Sequence, residues 1–139
     1  MESDSCIYCK IASKEAPSYA LYEDEHSMAF LDIHPLSPGH TLVIPKVHAR
    51  TLTELPNAEV APLFSAVQHM ARKLADALGT PDATIGINQG DSAGQAVPHL
   101  HVHIFPRFPD DKGGTVHGIV NNPPKLSLQE MVELINKQK

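Results

Sequence analysis

The chain predicts an α+β domain, an antiparallel β-sheet carrying helices, within a single unit spanning residues 1–139. Three observations lead there. The stretch VPHLHVHIFPR (97–107) places a histidine at every second position among apolar residues, the period of a β-strand. Between Asn57 and Leu78 apolar residues recur three and four apart, the period of a helix. Short β-branched runs lie on both sides of that helix, and an order of strands, one long helix and more strands suits an antiparallel sheet with helices on one face.

Taken in order, residues 6–13 read as a short helix that ends before Pro17. Tyr19–Tyr22 and Ser27–Ile33 read as strands around the acidic turn EDEH. The loop HPLSPG follows, broken by Pro35, Pro38 and Gly39, and then Thr41–Ile44 forms a third strand stopped by Pro45. The long helix carries Val60, Leu63, Phe64, Val67, Met70, Ala71, Leu74 and Leu78 on its apolar stripe. Asn57 is its expected cap and Gly79 its expected stop, Pro62 lies near enough to the start to be tolerated, and His69 falls off the stripe as a surface residue. Ala83–Asn88 makes a fourth strand, QGDSAGQ a flexible polar loop, and the histidine segment, bracketed by Pro98 and Pro106, a fifth. These elements form a core over residues 6–107. The tail, 108–139, is irregular until Ser127 and Glu130, a capping-box pair, open a last amphipathic helix with Met131, Leu134 and Ile135.

A net charge of −5 and an isoelectric point near 5.9 speak against broad electrostatic binding to nucleic acid or to an anionic membrane. No apolar run approaches the roughly 20 residues that span a bilayer, and MESDSC has no signal-peptide character. A soluble, cytoplasmic protein is expected.

Leu100, Val102 and Ile104 give the fifth strand a greasy face, and His99, His101 and His103 share the other. Three titratable, metal-capable rings on one rigid face point to a site, although surface histidines lining a solvated sheet would give the same pattern. Cys6 and Cys9, in CIYC, stand too close together for a useful disulfide staple and suit a metal pincer. Incidental thiols and a redox pair remain open, and a zinc site would need two further ligands.

The motif HLHVHIF, together with CIYCKIASKEAPS, YEDEHSMAFLDIHPLSPGHTLVIPKVH and INQGDSAGQAVPHLHVHIFPR, resembles the histidine triad (HIT) superfamily of nucleotide hydrolases and transferases, in its bacterial-type Hint-like branch. The resemblance covers about residues 6–107 and implies a five-stranded antiparallel sheet with helices, and a homodimer in which two sheets join. It implies that His101 attacks the α-phosphate of a purine nucleotide, an adenosine one above all, and forms a nucleotidyl-histidine. It further implies that His103 contacts phosphate oxygens and that His40 supports the triad. Asn88 and Gln95 match phosphate-contacting positions, with Gly94, Ala96 and Val97 on the same glycine-rich approach. Asp32 matches a residue that binds ribose hydroxyls, and Phe30 and Ile33 stand where they flank a base. From the residues alone, Asp32 also reads as a turn residue before Pro35, and Phe30 and Ile33 as core. Members with the N-terminal CxxC pattern imply a closed, structural zinc site of Cys6, Cys9, His48 and His99, which orients His99.

The chemistry is consistent with those roles, because a neutral imidazole keeps a free lone pair near pH 7 and can attack phosphorus, survive as an intermediate and leave. Cleavage of nucleoside 5′-phosphoramidates or related adenosine conjugates is the leading expectation. Hydrolysis of dinucleoside polyphosphates, a metal enzyme using all three histidines, and a nucleotide-binding regulatory module are the alternatives. Two departures stand out: Ala96 where the family often has Ser or Thr, and Pro98 where it has a bulky residue.

Overall fold

The computed structural model describes residues 5–138; positions 1–4 and 139 of the expected 1–139 domain lie outside the described residues. Helix α1 (Ile7–Ala12) starts where the extended Cys6 turns its sulfur to accept the Cys9 amide, a side-chain N-cap. Strands β1 (Ala20–Glu23), β2 (Ser27–Leu31) and β3 (Thr41–Pro45) follow, then α2 (Asn57–Leu78), β4 (Ala83–Gly86), β5 (Val102–Pro106) and α3 (Leu128–Asn136). The five strands form one antiparallel sheet in the order β1-β2-β3-β5-β4. The α+β architecture read from the sequence is therefore the one observed.

The helices do not share one face. Ala29, Val43, Leu100, Val102 and Ile104 point to the side where α2 lays down Leu63, Ala66, Val67, Met70 and Leu74. Met28, Phe30, Leu42 and Ile44, the alternate residues of β2 and β3, meet Ile11, Tyr8 and Ala12 of α1 on the opposite side. β2 and β3 are buried along nearly their whole length, so both faces needed a cover. Their continuous apolar runs carry that demand.

Helix α2 has the expected bounds and ends on Gly79 in the left-handed conformation, φ +71°. Its N-cap is Pro56 rather than Asn57: the Pro56 carbonyl accepts the Glu59 amide at 2.8 Å and no side chain caps the end. Proline's fixed φ already holds that residue extended, so the turn starts one position early. Phe64 leaves the expected stripe and is exposed, while His69 is exposed as expected and lies against Tyr22. In α3 the Ser127/Glu130 capping box forms, but none of its apolar residues is buried. β2 stops at Leu31 and β4 at Gly86, two residues short of expectation in each case. No helix among the described residues is long and apolar enough to cross a membrane.

The largest difference lies in the histidine segment. Ladder pairing begins only at Val102, opposite Val43. Upstream, Leu100 donates its amide to the Ala49 carbonyl at 2.7 Å and His99 donates Nε2–H to the Pro45 carbonyl at 2.9 Å. The chain is thereby drawn over the end of β3 toward residues 45–49, which leaves the strand register before His99 is reached. The inward aliphatics and outward rings keep their alternation nonetheless: Leu100, Val102 and Ile104 are buried in the α2-side core.

Candidate catalytic and metal-binding site

The tautomers of His40 and His101 are set by backbone partners, and that of His103 by His40. The Leu36 amide donates to Nδ1 of His40 at 3.2 Å, so the neutral His40 carries its proton on Nε2. That Nε2–H faces Nδ1 of His103 at 2.9 Å, with Oδ2 of Asp32 farther off at 3.6 Å. His103 then accepts at Nδ1 and presents Nε2–H outward. His101 works the other way. Its Nδ1–H donates to the His99 carbonyl at 2.7 Å, leaving Nε2 with a free lone pair. The rings of His101 and His103 lie 5.1 Å apart at their centroids, so a lone pair and an N–H stand side by side.

Burial favours the neutral form of His103 and His40. His103 is pushed down to about 4, first by desolvation and then by the neighbouring His101 and His40, and His40 is lowered by its burial. The hydroxyl of Tyr8 is raised to about 12, chiefly by burial with help from Asp32 and Cys6, and stays protonated. A sign follows for stability. In an unfolded chain a histidine protonates near 6.5, whereas folded His103 does so near 4. Between those values the unfolded state binds more protons, so stability is expected to fall as pH is lowered from about 6.5 to about 4. Denaturant titrations of the wild type and His103→Asn across that range isolate the contribution. Parallel pH profiles for the two proteins would contradict it.

The other predicted residues distribute unevenly. Asp32 lies just past β2, where Oδ1 accepts the His34 amide at 2.8 Å and Oδ2 faces His40; its turn-forming and site-facing readings hold together. Phe30 is buried in the α1-side core with Tyr8 edge-on at 5.6 Å, while Ile33 stands exposed. Asn88 lines the same cavity as His103 and Phe105. Gln95 does not open onto that cavity. Its Oε1 accepts the Gly90 amide and its Nε2 donates to the carbonyls of Arg50 and Val97, so all its side-chain bonds fasten the 90–97 loop. Gly94 sits in that loop with φ +88°, a left-handed turn that glycine adopts without strain. Ala96 borders the shallow cleft beside Arg50, and Val97 accepts the His99 amide as well as the Gln95 amide group.

Tyr8 and Phe105 were not legible as site residues. Tyr8 stands edge-on to both His99 and His101, at 5.9 and 5.2 Å, and Phe105 stacks on His103 at 5.3 Å and on His40 at 4.2 Å. Phe105 follows the triad by two residues, and strand periodicity alone put it on the histidine side.

Cys6, Cys9, His48 and His99 converge at the back of this site, with one potential ligand atom from each lying within 4.8 Å of the others. The sulfur of Cys6 is 3.3 Å from Nδ1 of His99, and that of Cys9 is 3.2 Å from Nδ1 of His48. Because His99 donates Nε2–H to Pro45, its Nδ1 lone pair is the atom aimed at the thiols. Burial lowers His99 to about 4, and burial next to Cys6 raises Cys9 to about 12, since two thiolates cannot share a dry pocket without a cation. Two thiols and two imidazoles form a closed, soft donor set that fits zinc and offers little to magnesium or calcium. Among the described residues Nε2 of His48 is buried without a hydrogen-bond partner, so of the cluster's two imidazoles His48 is the one whose outer nitrogen is not anchored.

Fold and site together define a histidine-triad protein: an antiparallel α+β sheet with three successive alternate histidines at one end and a Cys–His cluster behind them. A family model described as the HIT domain matches residues 13–110, and the chain belongs to that family. It is 38% identical to an adenosine 5′-monophosphoramidase of Saccharomyces cerevisiae, over 82% of this chain and 69% of the yeast protein. An adenylylsulfatase of Arabidopsis thaliana is 41% identical over 75% of this chain and 53% of its own length. Among solved structures, a protein of Streptococcus mutans superposes with a TM-score of 0.87 at 39% identity, covering 97% of this chain and 85% of that one. A zinc-bound histidine triad family protein from Mycobacterium smegmatis gives a TM-score of 0.74 at 43% identity, covering 80% and 81%.

Proposed function

We propose that this protein hydrolyses nucleoside 5′-phosphoramidates or related adenosine nucleotidyl conjugates through a covalent intermediate on His101. The observation that carries the reading is the opposed pair of tautomers: a lone pair on Nε2 of His101 beside an N–H on Nε2 of His103. Nucleophilic catalysis needs the first and stabilisation of a phosphoryl oxygen the second. Nε2 of His101 attacks the α-phosphorus, the bond from phosphorus to the leaving nitrogen breaks, and the departing amine takes up a proton. His103 donates to a phosphoryl oxygen, and His40 holds it in the donating tautomer. Water then breaks the phosphorus–imidazole bond, returns a proton and frees the nucleoside monophosphate. Asp32 is assigned to the ribose hydroxyls, with Phe30, Ile33 and Tyr8 toward the base. Asn88 is assigned to the phosphate, and Gln95, Gly94, Ala96 and Val97 shape the loop beside it. The related phosphoramidase and adenylylsulfatase support this choice over nucleic-acid binding.

Zinc would be held by Cys6, Cys9, His48 and His99, where it would tie α1 to the segment that carries the triad. A cytoplasmic location agrees with two unpaired cysteines, and a homodimer agrees with the open ladder edge of β4 and its exposed Ile85. Rapid quenching with an adenosine phosphoramidate labelled in the nucleotide tests the mechanism. The expected result is one acid-labile label per active chain, lost in His101→Ala. Turnover with no trapped label would replace the covalent route by direct attack of water.

A further inference from the structure

Two sulfurs share one nitrogen behind the triad. Sγ of Cys6 stands 3.3 Å and Sγ of Cys9 3.5 Å from Nδ1 of His99, and Cys9 also reaches Nδ1 of His48 at 3.2 Å. The two sulfurs lie within 4.8 Å of each other, because Cys6 is the N-cap of α1 and Cys9 sits in its first turn. They differ in access. Cys6 is fully buried, whereas Cys9 is partly open to solvent. One sulfur can therefore meet an oxidant while the other stands next to it, the arrangement of an oxidisable thiol and its resolving partner. In the zinc-holding arrangement both sulfurs are thiolates, the form that peroxide oxidises.

His99 connects this pair to the nucleophile. Its ring is held between the thiols at Nδ1 and the Pro45 carbonyl at Nε2. Its own carbonyl accepts Nδ1–H of His101 at 2.7 Å, the bond that leaves Nε2 of His101 free. Tyr8, between the two cysteines in the chain, stands edge-on to His99 and His101 at 5.9 and 5.2 Å. A bond between the sulfurs takes both of them off His99 and shifts the turn that carries Tyr8.

We propose that Cys6 and Cys9 are an oxidative modification site, joined by hydrogen peroxide in a disulfide that frees His99 and loosens the segment presenting His101. The Cys9 thiolate attacks one peroxide oxygen, the O–O bond breaks, and Cys9 becomes a sulfenic acid as hydroxide leaves. The Cys6 thiolate then attacks the Cys9 sulfur, the S–O bond breaks and a second hydroxide leaves. Each sulfur gives up one electron, and the peroxide takes both. Two imidazoles remain in the cluster, too few to retain zinc, and the ion passes to solvent. The loop closed by this spacing is too short to stabilise the fold much, so the bond serves as a reversible mark, the usual part of a disulfide in a reducing compartment.

The test treats the purified full chain, supplied with one equivalent of zinc, with a small excess of hydrogen peroxide and follows zinc with a chromogenic chelator. Intact mass is expected to fall by two hydrogens, mapped by digestion to the peptide holding Cys6 and Cys9, with zinc released in step. The Leu100 amide, bonded to the Ala49 carbonyl, is expected to exchange at least about tenfold faster after oxidation, and dithiothreitol with zinc should reverse every change. In Cys9→Ser peroxide should leave the mass of that peptide and the Leu100 exchange unmoved. Each protein is compared with itself before and after peroxide, so the effect of the substitution on the fold cancels. Two thiols still open to alkylation after peroxide, or oxidation of Cys9 to a sulfinic acid with Cys6 untouched, overturns the site. A complete disulfide that leaves the Leu100 exchange unchanged overturns its link to His101. These readouts need no substrate and so stand apart from the hydrolase reading; where that reading holds, oxidation is expected to lower kcat by at least about tenfold, the scale of a misplaced reacting group.

Discussion

His101→Ala is expected to lower kcat for an adenosine phosphoramidate by at least about a thousandfold, the scale seen when a covalent nucleophile is deleted, while the protein keeps its fold. The structural reason for separating the two effects is that Nε2 of His101, the atom that would react, makes no hydrogen bond among the described residues. His101 makes one hydrogen bond, to the carbonyl of His99, and touches Tyr8 and His103 by ring contacts. The buried side of its neighbourhood is held instead by Leu100 and Val102, which face the other way. Loss of activity should therefore appear in kcat, with far-ultraviolet circular dichroism close to wild type and a melting temperature lowered only by the loss of one buried ring. His40→Ala should cost less, because it removes the group that sets the tautomer of His103 and leaves the nucleophile in place; general acid–base assistance is typically worth about 10²–10⁴. Retention by His101→Ala of more than about a tenth of wild-type activity would move the nucleophile to another residue.

Legibility in the sequence followed how local the determinant was. The bounds of α2 could be read because 22 residues of period repeat the same signal and Gly79 supplies a left-handed stop. The five strands could be placed, but where each ladder ends could not. β5 pairs only from Val102 because the hydrogen bonds of His99 and Leu100 go to Pro45 and Ala49, residues some fifty positions away. The placement of helices on two faces was equally hidden, since it follows from the double-sided burial of β2 and β3 once they are central in the sheet. In the site, the alternate histidines and the CxxC pair stood out by chemistry and spacing, while His40 and His48 entered only through the family resemblance. Tyr8 and Phe105 did not stand out, because a ring becomes part of a site through what it stacks on.

Replacing Cys6 and Cys9 together with serine is expected to produce the largest loss of stability. With both thiols gone, a tetrahedral zinc site keeps only His48 and His99, and two imidazoles without thiolates hold the ion far more weakly. A metal bound only by the folded state stabilises it by its own binding free energy, about 4 kcal/mol when the free ion stands at a thousand times its dissociation constant. For a chain of this size that corresponds to a fall in Tm on the order of 10 °C or more. The elements it would loosen can be named. Cys6 is both the N-cap of α1 and the contact to His99, so the substitution removes the cap sulfur and the tie to the triad segment at once. Serine restores the cap, being a good N-cap residue, which leaves loss of the metal as the main effect. Hydrogen exchange should then speed up in Ile7–Ala12 and around His99 before it changes in α2. Activity should fall less than in His101→Ala, because the residues that would hold zinc do not include the proposed nucleophile. Metal analysis of the purified wild type is the deciding measurement. One zinc per chain, lost in the double substitution together with the thermal shift, is the expected result; well under one zinc per chain, with a melting temperature unmoved by added zinc, would mean that Cys6, Cys9, His48 and His99 hold no structural metal.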